Sequence, residues 1–432
     1  MGAPMWSRRQ LLSAFGASAL AAPWIARSQA SPAARNLILV WANGGWDTTF
    51  CFDPKLGVST VEGPEVDETG GDDVESVQTF GDDLRVVIND AKRPSVRTFF
   101  EEFGSITAIV NGISTGSVAH DPSRLRVLTG SGAPGLADVT VIAGSVHGAA
   151  RPLGSVDMSG YSFTGPLGAT AGRIGRSGQI RALLDPATSF PAPAGSGLQY
   201  PLFVPDPHEH DAVRALVEAR AERVRALRGG APANDKKLDD LVESLLRADR
   251  LGDGGAETMQ MLKLGVSPSY LASMPIAVDL LKKGVCSSVF IDSASRWDTH
   301  SINATQHGLY ESLFEGLVEL GRQLRAADLF DDTVVLVLSE MTRTPKINAE
   351  LGKDHWPYTS AMAFGAGVRG GRTYGATNDQ LEALAMDFTS GEVTTSGRVL
   401  EYDAFAASML ALLDVDPVPW FGDLPIFDAW RA

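Results

Sequence analysis

The sequence predicts an α/β protein built on a mainly parallel sheet that is buried on both faces. Short, nearly continuous apolar runs alternate with stretches of helical periodicity, and each run ends in a polar or glycine-rich loop. Composition allows the core this needs. Of 432 residues, 44% are hydrophobic and 21% charged, which excludes a disordered or low-complexity chain. A net charge of -15 leaves no global surplus of Lys and Arg for a phosphate backbone, which argues against nucleic-acid binding and against adhesion to anionic lipid.

Met1–Ala30 reads as an export signal. It carries Ser7-Arg8-Arg9-Gln10-Leu11-Leu12, then a mild Ala/Gly/Leu stretch, closes on Ser28-Gln29-Ala30, and has no acidic residue. Pro23 interrupts the apolar run, which is also too short to span a bilayer. Cleavage would remove Arg8, Arg9 and Arg27 and leave a mature chain at -18. The expected partner is therefore the twin-arginine export machinery. The expected location is periplasmic or extracellular, with no stable membrane span in the mature form.

The remainder, 31–432, reads as a single domain. Expected strands are Leu37–Trp41, Ile106–Val110, Val139–Ala143, Ser288–Ile291, Val334–Leu338 and Ala361–Phe364. Glu62–Asp83 holds nine acidic and no basic residues and reads as a solvated loop, without the ordered carboxylate spacing of a calcium loop. A Pro-rich stretch, Pro186–Pro207, precedes a helical block from about His208 to Leu251. There Val213, Leu216, Val217, Val224 and Leu227 form one stripe, so a helical insertion is expected at about 208–282, over or beside the sheet. Leu309, Leu313, Phe314, Leu317, Leu320 and Leu324 then mark a helix packed on the sheet, and Asp328 with Asp331-Asp332 marks the turn out of it. Cys51 and Cys286 make no disulfide framework and no metal motif, and Cys286 reads as a buried, inert thiol.

In an open parallel sheet, ligands bind beyond the carboxyl ends of the strands. Four such places carry acidic or imidazole groups: Asn43-Gly44-Gly45-Trp46-Asp47, Trp297-Asp298-Thr299-His300, Ser339-Glu340, and Gly352-Lys353-Asp354-His355-Trp356-Pro357. Asp298 and His300 are two apart, hence on one side of an extended segment. Carboxylate and neutral imidazole are ligands for zinc, manganese or iron, so Asp47, Asp298, His300, Glu340 and His355 are the candidate metal ligands. Trp46, Trp297 and Trp356 adjoin them and would shield the site from water. His147, His208, His210 and His307 receive no role.

The most specific string is His120-Asp121-Pro122-Ser123-Arg124-Leu125-Arg126-Val127-Leu128-Thr129-Gly130. It resembles the sulfatase signature Cys-x-Pro-Ser-Arg-x-x-x-Leu-Thr-Gly, whose first residue becomes the formylglycine nucleophile and is here His120. Together with the exported N-terminus, Gly-Gly-Trp-Asp, Trp-Asp-Thr-His, Ser-Glu-x-x-Arg-Thr-Pro, Asp-His-Trp-Pro and Val368-Arg369-Gly370-Gly371, the chain resembles, over roughly residues 35 to 425, an exported domain-of-unknown-function family. That family lies within the alkaline phosphatase and sulfatase superfamily. The resemblance implies a doubly wound sheet with a metal centre. In it Asp47 stands for the ligand after the first strand, Asp298, His300 and His355 for the Asp/His/His set of one metal, and Glu340 for the Asp of the other. Met341 falls where active relatives often carry a His ligand, so a second metal would need His120 or Asp354.

Two functions follow. One is a metal-dependent periplasmic hydrolase of phosphate or sulfate esters, with one or two divalent ions (Zn, Mn or Ca). In it Arg124 or Arg343 holds a substrate oxygen, and His120 acts as metal ligand, nucleophile or general base. The other is a non-catalytic exported protein that binds metal or an anionic small molecule after losing the superfamily nucleophile.

Overall fold

The computed structural model describes residues 35–66, 75–174, 207–228, 232–252, 268–293 and 296–432. The expected export signal and most of the Pro-rich stretch lie outside them. Among the described residues, no helix is long and apolar enough to cross a membrane.

The strands are β1 (Asn36–Trp41), β2 (Ser76–Phe80), β3 (Leu84–Ile88), β4 (Thr107–Ser114), β5 (Ser155–Asp157), β6 (Ala171–Arg173) and β7 (Ser288–Asp292). They continue as β8 (Thr333–Leu338), β9 (Thr342–Arg343), β10 (His355–Trp356), β11 (Tyr358–Gly365), β12 (Arg372–Tyr374) and β13 (Leu400–Glu401). The main sheet runs β12-β4-β11-β8-β1-β7-β5-β6, with β13 also paired to β4. Every pairing in it is parallel except the two made by β11, which is antiparallel to both β4 and β8.

The near-continuous apolar runs are explained by burial on both sides. Along β1, Ile38 and Val40 enter one core while Leu37, Leu39 and Trp41 enter the other, and all five are fully buried. The helices are α1 (Pro94–Phe103), α2 (His120–Thr129), α3 (Val139–His147), α4 (Pro207–Arg228), α5 (Pro232–Gly252), α6 (Tyr270–Lys282), α7 (Gln306–Ala326), α8 (Tyr402–Leu412) and α9 (Val418–Phe421). Residues of α1, α6 and α7 fill the first core, and residues of α2, α3 and α8 the second. Each large apolar side chain so buried contributes roughly 1.5–3 kcal/mol.

Five of the six expected strands lie within β1, β4, β7, β8 and β11, with Ile106 one residue ahead of β4. Val139–Ala143 is instead the start of α3. Asp138 caps it, accepting a hydrogen bond from the Val141 N–H at 2.9 Å, and a short apolar run buried on all sides reads the same in either conformation. The Asp138 carboxyl is pushed up to about 6 by burial, against the hydrogen bonds it accepts from Val141, Ser162 and Phe163.

The helical block from His208 divides into α4 and α5, and its stripe is not a core face. Leu216 is 67% exposed and Leu227 76%, while Val217 and Val224 are half-buried. α4 packs on the heavily charged α5, so the contact is made by the small Ala221 and by ion pairs such as Arg225–Asp239. The acidic segment is likewise not simply solvated. Glu75 forms a 2.5 Å ion pair with the buried Arg93, which also contacts His307, and Glu62 accepts from the Ile347 N–H at 2.7 Å. Cys51 and Cys286 are free and buried, and burial pushes both thiols up, Cys286 to about 12.

Candidate metal centre

Because β1, β4, β7 and β8 point the same way, the segments that follow them meet at one edge of the sheet. β11 runs the other way, so the residues just before it, including His355, reach that edge as well. His355 pairs with Arg343 in the short β9–β10 ladder, and His120 opens α2 shortly after β4. The sheet topology thus gathers residues that are hundreds of positions apart.

Asp298 is the centre of the group. Its Oδ1 lies 3.1 Å from His355 Nε2, 3.1 Å from His300 Nε2 and 2.9 Å from Arg343 Nη2, and its Oδ2 lies 3.4 Å from His120 Nε2. Donor atoms of His120, Asp298 and His355 all fall within 4.8 Å of one another. Burial pushes the Asp298 carboxyl up, but the hydrogen bond from Arg343 and the charge it brings lead the effects that outweigh it and hold it down at about 2.

The three imidazoles are oriented alike. Nδ1 of His355 donates to the Val118 carbonyl at 2.7 Å, Nδ1 of His120 lies 2.8 Å from Glu340 Oε1, and Nδ1 of His300 lies 3.0 Å from Asp354 Oδ1. An N–H at each Nδ1 leaves each Nε2 with a lone pair facing inward, the tautomer that metal-ligating histidines take. Nε2 of His300 and Nε2 of His355 are 3.0 Å apart, a separation that two lone pairs tolerate only with a proton or a cation between them. The donor set therefore fits a divalent ion. The hydrogen bond to Glu340 raises the His120 pKa above its ordinary value, against the opposing effect of burial.

The other expected site residues are placed differently. Glu340 is fully buried and accepts from the Gly44 N–H at 2.8 Å as well as from His120, so it orients the ring. Asp47 is also fully buried and caps the 3-10 turn Thr48–Phe50, with Lys353 Nζ 2.7 Å from its Oδ2. Arg343 is fully buried, donating to the carbonyls of Gly44, Gly45, Trp297 and Lys353 and to Asp298, so it clamps the loops together and faces no open space. Trp46 and Trp297 are fully buried behind the site, whereas Trp356 is half-buried and donates to the Leu381 carbonyl. His147 is held on the Leu413 carbonyl.

Arg124 lies in a cavity of about 690 Å³ with His120 and Asp298, lined further by Asn43, Tyr161, Asp292 and Arg296. Its guanidinium sits 4.7 Å from the Tyr161 ring centroid and bonds Asp121 at 2.6 Å. Sequence reasoning missed Tyr161, Asp292 and Arg296, and gave no role to Asn43 and Lys353 within the strings it singled out. Asp292 and Arg296 stand at the end of β7, where the strand-end rule could have found them; nothing in the sequence marks Lys353 as buried.

Close backbone packing fixes the segment that carries His355. A Cβ on Gly352 would fall 1.9 Å from the His300 carbonyl oxygen and 2.4 Å from the Ser301 nitrogen. Gly352→Ala is therefore expected to push the 300 and 353–355 segments apart. The cost should be about 1–3 kcal/mol in thermal unfolding, with a loss of metal affinity.

Among solved structures, the chain is similar to the lipoteichoic acid synthase LtaP from Listeria monocytogenes. That match has 10% identity, covers 91% of this chain and 74% of that one, and has a TM-score of 0.37. It is similar to the phosphonate monoester hydrolase of Agrobacterium radiobacter, with 12% identity, 92% and 79% coverage and a TM-score of 0.32. A sulfatase from Pseudoalteromonas sp. matches at 11% identity, 92% and 74% coverage and a TM-score of 0.33. No curated protein matches the sequence. Residues 34–417 match the family described as "Protein of unknown function (DUF1501)", and since this is most of the chain, the protein belongs to that family.

Proposed function

We propose that the protein is an exported, metal-dependent hydrolase of phosphate or sulfate esters. The observation that carries this reading is the convergence of three imidazole Nε2 atoms on Asp298, each with its Nδ1 committed to a carbonyl or a carboxylate. His120, Asp298 and His355 would hold the ion, with His300 beside them. When bound there, a divalent ion supplies Lewis acidity to an ester oxyanion. Arg124, stacked on Tyr161 at the cavity wall, holds a further oxygen of the transferred group. The position of the signature's nucleophile is taken by His120, which is engaged by Glu340, so the attacking oxygen is assigned to solvent.

The test is metal analysis of the native protein, followed by a screen of phosphate and sulfate mono- and diesters with and without chelator. Chelator-sensitive turnover is expected; a protein without stoichiometric metal would sink the reading. Arg124→Ala is expected to keep the metal while lowering kcat/KM about 10²–10³-fold, the scale for loss of one oxyanion donor. His120 in the place of the signature's nucleophile favours a second reading, an exported protein that binds anions without turnover. That reading predicts ligand binding with no product from any ester of the panel.

Export rests on Arg8 and Arg9. Residues 1 to 35 fused to a folded reporter should direct it through the twin-arginine route to the periplasm, and Arg8→Lys with Arg9→Lys should stop it. Unimpaired export of the double variant would count against this route.

A further inference from the structure

We propose that Lys353 is a cation built into the fold, and that by occupying Asp47 it limits the centre to a single metal ion. This inference rests on the metal-dependent reading above. A carboxylate offers about four lone-pair directions, two on each oxygen. In Asp47 three take hydrogen bonds, and the Lys353 ammonium, which makes no hydrogen bond of its own among the described residues, lies against the remaining face. Oδ1 accepts from the Thr49 N–H at 3.1 Å and the Thr49 hydroxyl at 2.7 Å, and Oδ2 accepts from Asn303 Nδ2 at 2.8 Å and lies 2.7 Å from Lys353 Nζ. The side chains of Asp47 and Lys353 are both 0% exposed, so solvent supplies no competing charge.

The backbones around the pair are held as firmly. Asp47 donates its N–H to Gln306 Oε1 at 3.1 Å and accepts from the Tyr310 hydroxyl at 3.0 Å. The Lys353 N–H donates to the Thr299 carbonyl at 3.0 Å. A metal ion on Asp47 would have to expel the ammonium into a dry interior, where an unpaired charge is far more costly than a paired one. Glu340 is partly committed in the same way, its Oε1 taking the Gly44 N–H and His120 Nδ1 and its Oε2 accepting from the Ser339 hydroxyl at 3.3 Å. One segment therefore serves both halves of the centre: Lys353 neutralises Asp47, and two residues later His355 faces Asp298.

The experiment is zinc stoichiometry by equilibrium dialysis and elemental analysis on the full chain and on Asp47→Asn. One equivalent is expected in both, because Asp47 is not a ligand. Lys353→Met is expected to melt lower than the native protein, and Asp47→Asn with Lys353→Met, which removes both charges, is expected to melt higher than Lys353→Met and to keep one equivalent. Two equivalents in the native protein, or loss of zinc in Asp47→Asn, would overturn this inference alone. No zinc in the native protein would overturn the metal-dependent reading and the inference with it.

Discussion

Asp298→Ala is expected to emerge from purification without its metal and to lose the sensitivity of its melting temperature to chelator. Asp298 is the one side chain shared by His120, His300 and His355, so its removal leaves three imidazoles with no common anion and leaves Arg343 without its carboxylate partner. An ion held at a hundred times its Kd stabilises the native state by about 2.7 kcal/mol, and the variant forfeits that amount. Thermal unfolding with and without chelator, beside elemental analysis, reads both effects. Should Asp298→Ala keep one equivalent of metal, the centre has been misplaced. His300→Ala provides the graded comparison: its Nε2 contacts Asp298 and His355 from the rim, and the variant should retain weakened binding.

Arg343→Lys is expected to be as damaging as a loss of charge although it keeps one. The guanidinium donates to four backbone carbonyls, from Gly44, Gly45, Trp297 and Lys353, and to Asp298. An ammonium has three donors and no planar fork, so buried carbonyls are left unpaired. Breaking such a buried arrangement costs about 3–5 kcal/mol. Because the same bonds hold the loops after β1 and β7, metal affinity should fall together with stability. Denaturant unfolding of the variant at saturating zinc and without it separates the two losses; a variant within about 0.5 kcal/mol of the native protein, the range of ordinary surface changes, would show that Arg343 clamps nothing.

What the sequence made legible was governed by how locally each signal is encoded. The strand at Val334–Leu338 and the helix carrying Leu313, Leu317, Leu320 and Leu324 announce themselves because periodicity and burial are properties of neighbouring residues. Val139–Ala143 misleads because a helix buried on every side has no polar stripe, and only Asp138 ahead of it carries the conformational information. Asp298 and His355 could be singled out by their positions at strand ends. Asp47 and Glu340 stand at strand ends too, but the side chains they meet, Lys353 for one and His120 for the other, lie far along the chain and leave no local signal. The stripe on α4 reads as a core face for a similar reason: exposure is decided by the charged α5 that packs on it and not by its own spacing.

The reversed strand β11 has a consequence for how the molecule holds together. His120, Asp298 and His355 follow β4, follow β7 and precede β11, so an ion between them would fasten three stretches of chain that are neighbours only once the sheet is assembled. In the unfolded chain these donors are separated by more than fifty residues at the least, and gathering them carries the entropy of closing two long loops. The ion would therefore act as a late rivet. It would contribute nothing to nucleating the sheet and would slow the separation of β4, β11 and β7, so that metal-loaded protein resists unfolding by a lower rate of opening more than by a faster return.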